Sequence, residues 1–342
     1  MRERPTSHDV ARIANVSRTT VSLVLNNVPG VRINEATRQR VFAAAKQLNY
    51  HPNITGRKLV SGKSFTLGLV LLQNPNQVFT DAILVKVLLG VEQAAEERGF
   101  HVLLKPLSPD NPEEYTRLIH ENHVDGIILS GPRQDDPEII RIHQQGFPIM
   151  LMGQLPGSNI PLVDINAIDG AKIATTHLIE NGHRRIAMIT NAPLEYTSAR
   201  QRLDGYRQAL TEAGITPDDS FVAAGNYTPA SGYTAMAHLL THSPRPSAVF
   251  VASDVVAMGA IQAAKRLGLA IPGDLAIVGF DDVPLAEYYD PPLTTMRLPA
   301  FDLGWAAADR LCRLVTGNKL DQTEYLLETQ LIVRNSSQLS HG

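Results

Sequence analysis

One cysteine, Cys312, is the only thiol in the 342 residues, so no disulfide forms within the chain and the composition suits a reducing cytoplasm. Cys312 falls in a helix-like stretch and reads as a small buried hydrophobe. No apolar run approaches the ~20 residues that cross a bilayer, and the opening Met-Arg-Glu-Arg-Pro-Thr-Ser-His-Asp has no apolar stretch to serve as an export signal. A membrane partner is therefore not expected. Missing too are a Gly-rich phosphate loop of Walker type, a Cys/His set with metal spacing and a Gly-x-Ser-x-Gly elbow, which leaves no basis for a cofactor, a metal site or catalysis. Asp281-Asp282 is an adjacent carboxylate pair, but neighbours in sequence usually point apart, and one of the two reads as solvated or helix-capping. Low-complexity tracts are absent.

What is present starts at once. Thr6 to Asn26 reads as two short helices joined by a tight turn, the helix-turn-helix that enters DNA. Thr6 or Ser7 is placed to cap the first helix, whose apolar face is Val10, Ala11 and Ala14. Asn15 tolerates the left-handed turn, Val16 packs beneath it, and Ser17 is placed to cap the second helix. That helix is expected to bury Val21, Val24 and Leu25 and to expose Arg18, Thr19, Ser22 and Leu23, the shape of a recognition helix. A third helix runs from Asn34, its cap, to Leu48, with Val41, Ala44, Ala45 and Leu48 closing a small core. Tyr50-His-Pro52 stops it. Residues 53–63 form a polar, basic connector. Charge divides along the same line, since residues 1–63 net +8 and the remainder nets −11. A charge run alone is usually a solvated face; coinciding with a helix-turn-helix, it points to phosphate.

Asp9-Val-Ala, Val16-Ser, Thr20-Val-Ser, Asn26, Thr37-Arg, Leu48-Asn-Tyr, Pro52-Asn and Arg57-Lys-Leu59 together resemble the headpiece and hinge of the LacI/GalR (lactose and galactose repressor) family of bacterial transcription factors. The likeness continues through almost the whole chain. It implies a headpiece over residues 1–52, a hinge over 53–63, and an effector-binding and dimerisation domain over 64–342. It implies further that the headpiece reads the major groove while the hinge becomes helical on operator DNA, with Leu59 wedged into the minor groove. On this resemblance Arg18, Thr19 and Leu23 address base edges, and Thr6, Ser17, Thr20 and Ser22 address phosphates. Asn26, Asn53 and Arg57 complete the DNA-binding set. Two departures stand out. Gly56 replaces the family's common alanine, which disfavours a helix by roughly 1 kcal/mol, and Val28-Pro-Gly-Val-Arg-Ile-Asn34 is longer than in the lactose repressor.

From Phe65 onward, apolar runs of strand length at 65–72, 101–105, 126–130, 148–152, 185–190, 247–251 and 275–280 alternate with helical patterns at 81–98, 112–122, 136–145, 168–181, 199–213, 230–241 and 254–267. Such alternation means parallel sheets covered on both faces. The rhythm restarts at Gly182, which suggests two similar lobes. The predicted fold is thus an all-α helix-turn-helix headpiece followed by a two-lobed α/β domain, which the resemblance makes periplasmic-binding-protein-like. The resemblance also implies that the chain crosses between lobes more than once, with 275–280 and Pro291–Pro299 including later crossings. His177 and His183 fall in the family's Asn-Gly-His-Arg pattern and read as helix-end and packing residues.

Ligand chemistry in such a cleft sits at the C-terminal ends of strands. Ser130, Asp254 and Asp281 fall there, and Arg202 resembles the family's effector-reaching arginine. A carboxylate and a guanidinium aimed at one polyol form charge-assisted hydrogen bonds, and Phe79 and Tyr227 offer rings to an apolar sugar face. Asp254 reads equally as the N-cap of the helix it precedes. Ser253, Leu298 and Gly153 depart from polar residues common in the family, so a larger or less polar effector is open, as are the purines and other metabolites that some members bind. Two classes compete. One is a dimeric repressor on a palindromic operator, controlled by a small, carbohydrate-like effector; the other is a sugar-binding transport component or carbohydrate-active enzyme on the same fold. The headpiece and the missing export signal favour the repressor. The tail after Arg334 has no heptad repeat to build a tetramer.

Overall fold

The computed structural model describes residues 5–25, 31–50, 63–73, 78, 82–108, 113–121, 123–134 and 136–338. The chain divides into two compact units, Met1–Phe65 and Thr66–Gly342.

In the first unit, α1 (Ser7–Ala14), α2 (Arg18–Leu25) and α3 (Glu35–Gln47) enclose a core of Val10, Ala14, Val21, Val24, Val41 and Ala44. Thr6, not Ser7, caps α1. Its hydroxyl accepts from the Asp9 N–H at 3.4 Å while the Asp9 carboxylate accepts from the Thr6 N–H at 3.0 Å, a capping box that satisfies donors on both sides. Asn15 takes the left-handed conformation with φ 52°. Ser17 Oγ then accepts from the Thr20 N–H at 3.1 Å and Asn34 Oδ1 from the Thr37 N–H at 2.8 Å, so each helix start has its cap. Leu25, Ser22 and Leu23 are all half-buried, so α2 presents less of its C-terminal half than expected.

The second unit holds two six-stranded sheets. The first lobe orders its strands β11-β5-β4-β3-β1-β2 and the second β12-β10-β9-β8-β6-β7. These are β1 (Thr66–Leu72), β2 (His101–Leu107), β3 (Gly126–Ser130), β4 (Ile149–Met152), β5 (Leu162–Ile165), β6 (Ile186–Ile189), β7 (Val222–Ala223), β8 (Ala248–Val251), β9 (Ala276–Asp281), β10 (Thr294–Arg297), β11 (Glu324–Leu327) and β12 (Gln330–Ile332). Every pairing is parallel except β10 with β12. Helices α4 (Ala82–Glu97), α5 (Glu113–His120), α6 (Pro137–Gln144) and α11 (Ala300–Val315) follow first-lobe strands or pack on that lobe. The second lobe has α7 (Ala167–Glu180), α8 (Thr197–Glu212), α9 (Pro229–Leu239) and α10 (Asp254–Arg266). Four apolar clusters result, one for each face of each sheet. That is why strands such as Thr-Leu-Gly-Leu-Val-Leu-Leu are apolar throughout instead of alternating.

All seven expected strands and seven expected helices occur, with ends within two residues. Five strands (β5, β7, β10, β11 and β12) and α11 are additional. Each of those strands has two to four residues and lacks the unbroken apolar run that marks the equally short β4, β6 and β8, and each owes its place to pairing with a neighbour. Of the two later crossings expected, the one within Pro291–Pro299 is found, between β10 and α11. The chain passes between lobes after β5, between β10 and α11, and between β11 and β12. The strand expected at 275–280 is no crossing: β9 lies inside the second sheet between β8 and β10. The turn at Ser336 and Ser337 closes that sheet. Ser336 exchanges backbone and side-chain hydrogen bonds with Ile277 and Thr294, and Ser337 Oγ lies 2.8 Å from His177 Nε2. His177 and His183, the latter 3.0 Å from Ser247 Oγ, are thus packing residues of this lobe.

Helices α9 and α10 touch backbone to backbone. A Cβ on Gly259 would lie 1.7 Å from the Pro229 carbonyl oxygen, and one on Gly232 1.9 Å from that of Val256. Gly259→Ala should therefore cost at least about 1–3 kcal/mol, read as a lowered melting transition. Burial also lowers the pKa of His177. The unfolded chain takes up this proton near pH 6.5 and the folded one resists it, so the stability contributed is present above that pH and lost as pH falls through the folded value. Urea midpoints measured from pH 8 to 5.5 should fall more steeply for the wild type than for His177→Gln.

Candidate functional site

The strand ends of both lobes open onto one cavity. Its polar wall is built by Ser130 at the end of β3, Asp164 on β5, Asn191 after β6, Arg202 on α8, Tyr227, and Asp281 ending β9. The first lobe also contributes aliphatic lining from Leu71, Ile83, Leu84, Val87 and Leu303.

Arg202 is buried and held from three sides. Its guanidinium lies 4.0 Å over the Phe280 ring, donates through Nη1 to the Ala252 carbonyl, and places Nη2 3.8 Å from Asp281 Oδ1. Its Nε has no partner within the protein. Ser253 donates to Asp281 Oδ2 at 3.0 Å. Asp281 (φ 121°) and Asp282 (φ 54°) both occupy positive φ, so the chain reverses its side chains there. Asp282 turns away and is neither solvated nor a cap. It accepts from Arg297 Nε at 2.7 Å and Arg334 Nη2 at 2.8 Å. Burial alone would raise its pKa, but the hydrogen bonds and charges of the two arginines prevail and lower it.

Asp254 does not reach the cavity, and it is not the N-cap. Ser253 holds the capping position and Asp254 begins α10, fully buried, with Oδ1 accepting from Thr295 Oγ1 at 2.7 Å and Oδ2 from the Val283 N–H at 3.0 Å. Burial and the neighbouring Asp281 push its pKa well above the usual carboxylate range. Its role is to tie α10 to the strand end that carries Asp281.

Asp164 and Asn191 did not figure among the sequence candidates. Asp164 sits on the four-residue β5, which gave no strand signal; burial raises its pKa to about 6 against the opposing effect of the Ile165 N–H, Arg202 and Gln154. Asn191 bonds Ser198 Oγ at 3.2 Å and the Tyr227 hydroxyl at 3.3 Å through one end of its amide, leaving the other end without a protein partner. Tyr227 lines the cavity and forms an edge-to-face pair with Tyr196, ring centroids 6.0 Å apart. Phe79 lies outside the described residues. Along one side the lobes touch directly, through an Arg133–Tyr196 bridge, Gln134 N–H to Glu195 O at 3.2 Å, Tyr196 hydroxyl to Leu72 O at 3.1 Å, and Thr197 hydroxyl to Pro132 O at 3.4 Å.

On the separate headpiece, Arg18 and Thr19 are exposed in the first turn of α2. Ser17 and Thr20 hydroxyls lie 2.9 Å apart, and the Thr6 hydroxyl donates to Asp9 at 2.7 Å, so these three are already ordered by the caps. Asn26, Asn53, Arg57 and Leu59 lie outside the described residues. Among the described residues no group of three or more His, Cys, Asp or Glu side chains could hold a metal, and no helix is long and apolar enough to cross a membrane.

A helix-turn-helix unit joined to a two-lobed α/β unit with an interlobe cavity defines a ligand-responsive DNA-binding regulator. Comparison with known proteins agrees: residues 6–53 match the model for bacterial regulatory proteins of the lacI family, and residues 175–337 match that for a periplasmic binding protein-like domain. The HTH-type transcriptional regulator CelR of Thermobifida fusca is 38% identical over 98% of this chain and 99% of its own. A solved CelR–cellobiose complex superposes with a TM-score of 0.76 at 36% identity, covering 97% of this chain and all of that one. The lac repressor dimer bound to operator and the anti-inducer ONPF gives 0.85 at 27% identity, covering 98% and 100%. The chain belongs to the LacI family of bacterial transcriptional regulators.

Proposed function

We propose that this regulator is a cytoplasmic, dimeric repressor that grips a palindromic operator and answers to a small carbohydrate-like effector held between its lobes. The observation that carries this reading is the Arg202–Asp281 pair on the cavity wall, with Ser130 and Asp164 facing it from the other lobe. Such a set offers a polyol both donors and acceptors, and the cellobiose complex of CelR supports a sugar. Exposed Val85 and Leu89 on α4, with Leu285 and Tyr288 in the second lobe, support a dimer. An effector bridging the lobes favours one lobe orientation, which alters the spacing of paired hinges and releases the operator. Linkage requires operator to change effector affinity by the same factor.

On this reading Arg18 donates to base edges, most simply guanine, with Thr19 and Leu23 adding smaller contacts. Thr6, Ser17, Thr20 and Ser22 hold phosphates. Arg18→Ala should cost roughly 1–3 kcal/mol per half-site and relax base preference at one position. Fluorescence anisotropy across single-base operator variants tests this; a uniform loss would make Arg18 a phosphate contact instead. Asp281→Ala should keep operator affinity in the absence of effector and lose the response to it. A sugar screen by thermal shift supplies the effector, and an unchanged response would remove Asp281 from the site.

A further inference from the structure

Helix α8 begins behind a residue that does not cap it. Tyr196 holds the capping position at φ −80° and ψ 130° and makes no side-chain bond to the helix start. Helices α3, α6, α7 and α9 begin behind Asn34, Asp136, Asn166 and Thr228, each of which accepts from an N–H of the first turn. A local preference given up in this way points to a role outside the helix.

Tyr196 reaches two places. Its hydroxyl donates to the Leu72 carbonyl at the end of β1, in the opposite lobe, at 3.1 Å. Its ring forms the edge-to-face pair with Tyr227, a cavity-lining residue, while Tyr196 itself is not part of the lining. Tyr227 sits at φ 53°, the left-handed region that a bulky side chain rarely adopts. Asn191 holds it there, its carbonyl accepting from the Tyr227 N–H at 2.9 Å and its amide donating to the Tyr227 hydroxyl at 3.3 Å. The neighbouring contacts between the lobes are the Arg133–Tyr196 backbone bridge, the Gln134 N–H on Glu195 O at 3.2 Å, and the Thr197 hydroxyl on Pro132 O at 3.4 Å. Of the two side-chain hydroxyls that cross here, that of Tyr196 makes the shorter bond, and its ring is the one packed on a strained cavity residue.

Resting on the reading of an effector held between the lobes, we infer that Tyr196 is a positioning residue for the response: it ties the interlobe contact to the cavity wall, so that lobe orientation and the setting of Tyr227 change together. A ligand that displaces the Tyr227 ring disturbs the ring that carries the interlobe hydrogen bond. Parting of the lobes, in turn, withdraws support from Tyr227. The coupling is reciprocal, as linkage requires.

Hydrogen exchange on the full-length, ligand-free protein tests this. The Gln134 N–H donates across the lobes and the Tyr227 N–H to Asn191 within one lobe, so the first reports parting of the lobes and the second the setting of the cavity residue. Tyr196→Phe keeps the ring against Tyr227 and loses only the hydroxyl. Exchange at Gln134 should quicken roughly two- to tenfold, the worth of one hydrogen bond, exchange at Tyr227 should quicken with it, and β4 and β8 should keep their wild-type rates. No change at Gln134, or equal quickening in β4 and β8, would overturn the interlobe role. Quickening at Gln134 without any at Tyr227 would overturn the coupling, since the ring contact is intact in this variant. Any sugar found by the thermal-shift screen should bind Tyr196→Phe with an affinity altered by at least about twofold, and an unaltered affinity would overturn the role in the response. A screen in which no sugar binds removes the carbohydrate reading and leaves the coupling decided by exchange.

Discussion

Two consecutive non-glycine residues at positive φ end the central strand of the second sheet, Asp281 at 121° and Asp282 at 54°. A pair like this persists only where surrounding interactions hold it. Asp282 supplies them through Arg297 and Arg334, one from the neighbouring β10 and one from beyond β12, both within hydrogen-bond distance. Asp254 adds a second tie by accepting from Val283 and Thr295. With the turn clamped from behind, Asp281 has no freedom to follow its neighbour and faces Arg202 and Ser253. The position of Asp281 on the cavity wall is therefore supported by ion pairs of Asp282 that do not line the cavity.

The headpiece was legible residue by residue because its signals are local. A capping Thr or Ser before the first helix, an Asn in the left-handed region and three short apolar stripes are all local, and all recur in the structure, where the Thr6 cap proves to be a capping box. The expected strands were legible for a different reason: burial on both faces leaves continuous apolar runs that turn residues punctuate. The five additional strands carry no such run, being interrupted by polar residues or only two or three residues long. Leu-Val-Asp-Ile becomes β5 because β4 and β11 pair with it, and Asp164 reached the cavity unannounced for that reason. Asp254 failed in the opposite direction. Its position between a strand and a helix suggests either a cap or a ligand group, and only the three-dimensional proximity of Thr295 and Val283 shows the carboxyl spent inside.

Arg202, singled out by resemblance, and Asp281, singled out at a strand end, both line the cavity. What sequence alone could not supply is the setting of these two side chains, which depends on Phe280, Ala252 and Ser253, none of which stands beside Arg202 in the chain.

The contacts between lobes are distributed unevenly. All three chain crossings leave from β5, β10 and the β11–β12 pair, which lie together at one edge of the two sheets. The direct bridge joins the ends of β1 and β3 to the segment after β6, toward the other edge. One flank of the cavity is thus sewn by covalent chain, and the other is fastened by a few hydrogen bonds that each contribute roughly 0.5–1.5 kcal/mol net. That sum is of the size at which a minor state holds between 0.1 and 10% of molecules. The two lobes are accordingly joined like a door with a fixed spine and a light catch, and Tyr196 is part of the catch.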